Sequence, residues 1–265
     1  MKIAPLQPAD LSAVKSLQPP DWNNILPMHE FYLNSDFCKT FKCVENDQVI
    51  AIGTAILHLE VAWIAHVIVN PEHRNKGIGL ILTDYLIKHI QSHQLQTIYL
   101  LATSLGEPVY KKLGFTKEGY YTFYRGGIKP IKPSLECIQG YHSSYLSDIL
   151  ELDYLAYGEP REISVEPFLD NALLYIENKK LTGFYIPDFG EGLIISKSKE
   201  AGITLQSLRL QTQQVAVVPN DNIAMNEFLI HHQYEVFRSA TRMRLGIERP
   251  LNLALIYQRV SGQIG

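Results

Sequence analysis

Between Trp63 and Tyr85 an apolar run, WIAHVIV, meets the turn NPEHRNKGIG and passes into a helical pattern, LILTDYLIKHI. A strand that feeds a glycine-bearing turn opening a helix is a way to hold phosphate with backbone alone. The first four N–H groups of a helix lack an internal partner, and the helix dipole adds about half a positive charge there. Gly77 and Gly79 remove the Cβ atoms that would block close approach, and Arg74 and Lys76 add cationic heads, which suits a doubly charged pyrophosphate. The segment Arg74, Asn75, Lys76, Gly77, Ile78, Gly79 and Leu80 is therefore the candidate cradle. A P-loop would need GxxxxGK followed by Ser or Thr, and a dinucleotide fingerprint would need GxGxxG; residues 70–85 hold neither. Taken alone, two glycines also fit any tight strand-to-helix turn.

Other groups in the chain could carry protons or metals. His66 interrupts an apolar strand, where alternation puts Trp63, Ala65, Val67 and Val69 on one face and Ile64, His66 and Ile68 on the other. It reads equally as a working group or as a core histidine satisfied by a neighbour. His89 and His93 stand four apart at a helix end, but without a third ligand they read as charge near a helix C-terminus, and His231 and His232 are treated alike. Cys38, Cys43 and Cys137 show no CxxC spacing and are read as buried thiols. Ile78, Ile81, Leu82, Tyr85, Leu86 and Ile90 repeat at helical spacing and are expected in the core.

The elements that position these residues form a sequence of their own. RNKGIG (74–79) fits the RxxGxG signature of the GNAT N-acetyltransferase superfamily, and VIVNPEH resembles the strand and turn that lead into it. Downstream come a buried strand, TIYLLA, and PVYKKLGF (108–115), similar to the family's short helix with a tyrosine and a closing glycine. Upstream, FKCVENDQVIAIGTAIL resembles its second and third strands, so the likeness covers about residues 1–127. This resemblance implies acetyl-CoA as cosubstrate, no metal, and transfer of the acetyl group to a primary amine by direct attack. It places the cofactor along the backbone of Val67, Ile68 and Val69, with the Val67 N–H polarising the thioester carbonyl. It makes Tyr110 the general acid that protonates the departing thiolate, a transfer near balance for a thiol of pKa about 8.5 and a phenol of about 10. Thr103 and Ser104 stand where relatives often carry an asparagine against the cofactor. An amine acceptor also needs a route for its proton. His66 is the nearest candidate in sequence, and Glu60 is the only carboxylate close by.

The second half echoes the first. YIENKKLTGFYI parallels CVENDQVIAIGTAI, SKEAGITLQSLRL parallels NKGIGLILTDYLI, and HHQYEVFRSATRMRLG parallels KKLGFTKEGYYTFYRG. If Gly202 corresponds to Gly79, Glu200 replaces Gly77 and sets a carboxylate where pyrophosphate would lie; Leu229 then stands in the place of Tyr110. The expectation is two GNAT-like α/β (α+β) domains, each a mixed, mostly antiparallel twisted sheet flanked by helices. The first, 1–127, is catalytic and the second, 137–265, degenerate. A linker at 128–136 contains two prolines that disfavour helix and central strand.

A net charge of −3 without basic blocks argues against nucleic acid, and no apolar run approaches the roughly 18 residues of a membrane span. The start MKIAPLQPADL lacks the apolar core of a secretion signal, so a soluble, cytoplasmic protein with a small-molecule or peptide amine as partner is expected. The rival expectation is a non-catalytic acyl-CoA-binding sensor.

Overall fold

A computed structural model describes residues 1–20, 22 and 24–264. Packing divides the chain into two units: Met1–Thr116 with Met243–Ile247 and Gly262–Ile264, and Lys117–Arg242 with Glu248–Ser261.

In the first unit the elements run β1 (Lys2–Pro5), α1 (Leu11–Ser16), α2 (Leu26–Leu33), β2 (Cys38–Glu45), β3 (Gln48–Leu57), β4 (Val61–Val69), α3 (Ile78–Ser92), β5 (Thr97–Ala102) and α4 (Glu107–Lys112). The sheet order is β1-β2-β3-β4-β5. Its pairs are antiparallel except β4 with β5, which run parallel because α3 carries the chain back between them. Asn46 and Asp47, both at positive φ, close the β2–β3 hairpin, the geometry of a type I′ turn. α3 presents Ile78, Leu82, Leu86 and Ile90 to one sheet face, where Ile64, Ile98, Leu100 and Tyr110 complete the cluster. Leu6, Val14, Leu17, Ile25, Ile52 and Ile68 pack as a second cluster that includes residues of α1. Ile81 and Tyr85 do not join the core as periodicity suggested. They are 47% and 37% exposed, because the buried stripe on α3 follows the i, i+4 row from Ile78.

In the second unit come β6 (Thr116–Arg125, all but its first residue), β7 (Ile138–Gly140), α5 (Leu146–Tyr157), α6 (Glu162–Val165), β8 (Leu173–Glu177), β9 (Lys180–Ile186), β10 (Leu193–Ser196), α7 (Lys199–Arg209), β11 (Val215–Pro219), α8 (Ile223–His231), β12 (Glu235–Gly246, up to Arg242) and β13 (Ile256–Gln258). One sheet has the order β13-β10-β9-β8-β7, and β6 pairs antiparallel with β11 from Val215↔Arg125 to Pro219↔Tyr121. Buried charge is paired here: Arg161 meets Asp153 through two hydrogen bonds, at 2.9 and 2.5 Å, and Arg242 meets Glu118 at 3.1 Å.

The mixed, largely antiparallel sheets with flanking helices match the expected fold class. The compact units are cut elsewhere than the sequence pattern placed them. Residues 117–127 pack with the second unit, and Met243–Ile247 and Gly262–Ile264 pack with the first. Strand pairing, not proximity along the chain, decides membership: β6 finds its partner in β11, while Thr97 Oγ1 donates to the Ile247 carbonyl and Thr116 Oγ1 to that of Arg244. Among the described residues no helix is long and apolar enough to cross a membrane.

Candidate active site

The turn into α3 is open at its helix end. Gly77 is the N-cap residue at φ +78°, a left-handed value that favours glycine, and a Cβ built there would meet nothing within 4 Å. Among the described residues no side chain caps α3, and its first internal bond runs from Ile81 N to the Gly77 carbonyl. The N–H groups of Ile78, Gly79 and Leu80 therefore lack a helical partner. Arg74 Nε donates to the Val69 carbonyl at 3.1 Å, tying the loop to the end of β4, while Asn75 takes positive φ. Residues 74–77 are exposed. Gly79 sits in ordinary contact with Val69 Cγ2, so its missing Cβ relieves no clash inside the chain.

β4 carries two irregularities that alternation does not reveal. Thr54 pairs with Ala65 and Ile52 with Ile68, so His66 and Val67 together oppose the single residue Gly53: a β-bulge, with His66 at φ +47°. A Cβ at Gly53 would come within 2.9 Å of the Leu86 Cδ1 methyl, so a side chain opposite the bulge would require Leu86 to shift. On the other flank, the ladder with β5 spans Val61–Trp63 against Thr97–Tyr99 and stops, although the strands continue to Val69 and Ala102. Backbone donors and acceptors of the second half of β4 are thus left beside the α3 turn without a strand partner on that flank.

The bulge corrects the predicted faces. Ala62 and Ile64 belong to the α3-side cluster, and beyond the bulge Val67 and Val69 pack against it. Ile68 lies in the other cluster, and His66 turns to the α2 side, so Ile64 and His66 do not share a face. The extra residue shifts the two-residue period by one.

His66 is 6% exposed, and both ring nitrogens are engaged. Nδ1 lies 3.0 Å from Tyr32 Oη, and Nε2 lies 3.0 Å from Nε2 of Gln263. His29 stacks 4.9 Å away and Trp22 5.8 Å away, centroid to centroid. Burial, with His29 beside it, holds the imidazole down at about 3, so His66 stays neutral near pH 7. Sequence reasoning missed this surrounding group. His29 and Tyr32 share one face of α2 at i, i+3, a legible signal, whereas Gln263 lies 197 residues from His66.

Tyr110 is buried on α4, edge-to-face with Phe115 at 5.9 Å, in the same cluster as Ile78. Burial pushes its phenol up to about 12, which makes it a weaker acid than the free side chain. Thr103 closes the turn into α4: its carbonyl accepts from Gly106 and Glu107, and its hydroxyl lies 3.3 Å from Gly106 N. Ser104 is exposed. Val67, Val69, Ile78 and Tyr110 are thus brought into one cluster, while the His66 ring is not. Glu60 lies exposed in the β3–β4 turn, about 20 Å of extended chain before His66. His89 packs edge-to-face with Phe41 at 4.9 Å and with His93 at 4.8 Å. Cys38 and Cys43 are buried, but Cys137 is exposed, contrary to the expectation of three buried thiols, because it precedes the short strand β7 rather than lying within a sheet.

The first unit thus sets an uncapped helix start beside a strand that is bulged on one flank and unpaired over part of the other. Residues 11–115 match the acetyltransferase (GNAT) family model, a span that falls wholly within the first unit. Over the whole chain the fold is that of GNAT acetyltransferase structures. A candidate acetyltransferase from Pyrococcus horikoshii superposes with a TM-score of 0.86 at 21% identity, covering 100% of this chain and 95% of that one. A GCN5-related N-acetyltransferase from Sphaerobacter thermophilus gives 0.66 at 14% identity, covering 96% and 98%. No curated protein sequence matches significantly.

Proposed function

We propose that the protein is an N-acetyltransferase that moves the acetyl group of acetyl-CoA to a primary amine by direct attack in a ternary complex. The observation that carries this reading is the uncapped start of α3, with Gly77 facing open space beside the bulge of β4, within the segment that matches the family.

The Arg74–Leu80 amides hold the pyrophosphate, with Thr103 and Ser104 at the edge of the site. The pantetheine amides pair along the flank of β4 that β5 leaves open, at Val67, Ile68 and Val69, and the Val67 N–H stabilises the oxyanion. The amine nitrogen attacks the thioester carbon, the C–N bond forms, the C–S bond breaks, and the proton lost by the nitrogen ends on the thiolate, giving amide and thiol. With its phenol pushed up to about 12, Tyr110 donates a hydrogen bond to the forming thiolate more readily than it surrenders its proton.

His66, held neutral, serves as an acceptor that orients the N–H of an already deprotonated amine. About one lysine-like amine in 2,500 is in that form at pH 7. Residues 137–265 are a degenerate copy that binds no cofactor, in a cytoplasmic protein.

The test is a thiol-release assay with acetyl-CoA across an amine panel. Release is expected with at least one amine, with kcat/KM rising about tenfold per pH unit between pH 6 and 9 and no inflection near 6.5. Tight acetyl-CoA binding without release to any amine would instead mean a non-catalytic sensor.

A further inference from the structure

The neighbour of His66 that the sequence could not reveal is Gln263. The segment Gly262–Ile264 packs within the first unit, and the Gln263 carboxamide nitrogen lies 3.0 Å from Nε2 of His66. With the carboxamide nitrogen facing the ring as donor, Nε2 accepts and the ring proton sits on Nδ1, where it is donated to Tyr32 Oη at 3.0 Å. His29 is fixed in the same sense: its Nδ1 donates to the Ile25 carbonyl at 2.9 Å, which leaves its buried Nε2 a bare acceptor without a partner among the described residues. His29, Tyr32 and Gln263 thus surround His66 with groups that carry no charge near neutral pH, and its lone pair is aimed at the one N–H donor supplied from distant sequence.

We propose that Gln263 is a positioning residue for amine capture: its carboxamide N–H locks His66 in the Nδ1–H tautomer and occupies the lone pair that the acceptor's N–H takes over on binding. The proposal rests on the acetyl-transfer reading for what displaces Gln263, but the tautomer it fixes is a property of the protein alone. It assigns the acceptor a chemical class, a neutral primary amine with an N–H to give.

The experiment is ¹⁵N-histidine NMR of the full chain, reading the protonation of each His66 nitrogen in the wild type, Gln263→Glu and Gln263→Ala. The wild type should show Nδ1–H with a bare Nε2. Gln263→Glu, which offers an acceptor in nearly the same shape, should move the proton to Nε2. Gln263→Ala should give a mixture, and it guards against misfolding of the charged variant. In amine kinetics, Gln263→Glu should raise the amine KM about tenfold while acetyl-CoA affinity stays within twofold. An Nε2–H wild type, or an unchanged Nδ1–H in both variants, would overturn the proposal. If the tautomers behave as expected but no amine releases thiol, the acetyl-transfer reading fails and the assignment of Gln263 to His66 stands.

Discussion

The turn into α3 and the turn into α7 come from matching stretches of sequence, and the scaffold around them matches as well. Asn178 and Lys179 close the β8–β9 hairpin with φ of 49° and 63°, as Asn46 and Asp47 close β2–β3 with 49° and 60°. Each hairpin carries a register shift next to its tip, at Cys43/Val44 and at Tyr175/Ile176. Phe115 N bonds the Tyr110 carbonyl after a left-handed Gly114, just as Tyr234 N bonds the Leu229 carbonyl after a left-handed Gln233. Two differences fall at the strand that leads into each turn and at the helix start. β4 is bulged at His66, whereas β10 pairs with β9 without a shift from Leu193 to Ser196. α3 starts uncapped with Gly77 in open space, whereas the Ser198 hydroxyl accepts from Ala201 N at the start of α7. The second half has closed with its own side chains what the first leaves open.

The largest effect should come from putting a carboxylate into the open turn of the first half. Gly77→Glu places a carboxylate and a Cβ at φ +78° in the cradle. Acetyl-CoA affinity by titration calorimetry should fall at least about 100-fold, through like-charge repulsion and backbone strain. Unchanged affinity would break the comparison at its centre, as would two acetyl-CoA bound per wild-type chain. Next in size is Tyr110→Phe, which gives the first half the apolar character that Leu229 has in the second. Turnover should fall roughly 10- to 100-fold with cofactor affinity unchanged. Full turnover would reduce Tyr110 to packing against Phe115.

The range of each interaction decides how much of the site and fold was legible in the sequence. The α3 turn, Tyr110 and the hairpin tips are set by residues close in sequence, and their patterns survive reading along the chain. The bulge was not legible: one added residue at His66–Val67 reverses the face of Ile68 and Val69 beyond it, and it shows only in the pairing with β3, where both residues oppose Gly53. For His66 the sequence left a working group and a satisfied core histidine equally open, and only the structure shows the ring buried among Tyr32, His29 and Gln263 with both nitrogens engaged. The unit boundary moved from 127 to 116 because β6 pairs with β11, nearly a hundred residues on.

The smallest effect tests the closed side of the comparison. Ser198 caps α7 through a bond to Ala201 N and is tied in turn to Ser196, whose hydroxyl donates to the Ser198 carbonyl at 2.8 Å and accepts from Ser198 N at 3.0 Å. Ser198→Ala removes only the side-chain cap, so unfolding should become easier by about 1 kcal/mol, with acetyl-CoA affinity and turnover unchanged. The start of α3 should respond in the opposite sense. Its N–H groups have no side-chain cap among the described residues, so on the acetyl-transfer reading acetyl-CoA at 100 times its Kd should stabilise the wild type by about 2.7 kcal/mol, and Gly77→Glu far less. Denaturant melts of Ser198→Ala and Gly77→Glu, with and without acetyl-CoA, separate the two cases. If Ser198→Ala lost its response to the cofactor while Gly77→Glu kept it, the working turn would be the one at α7.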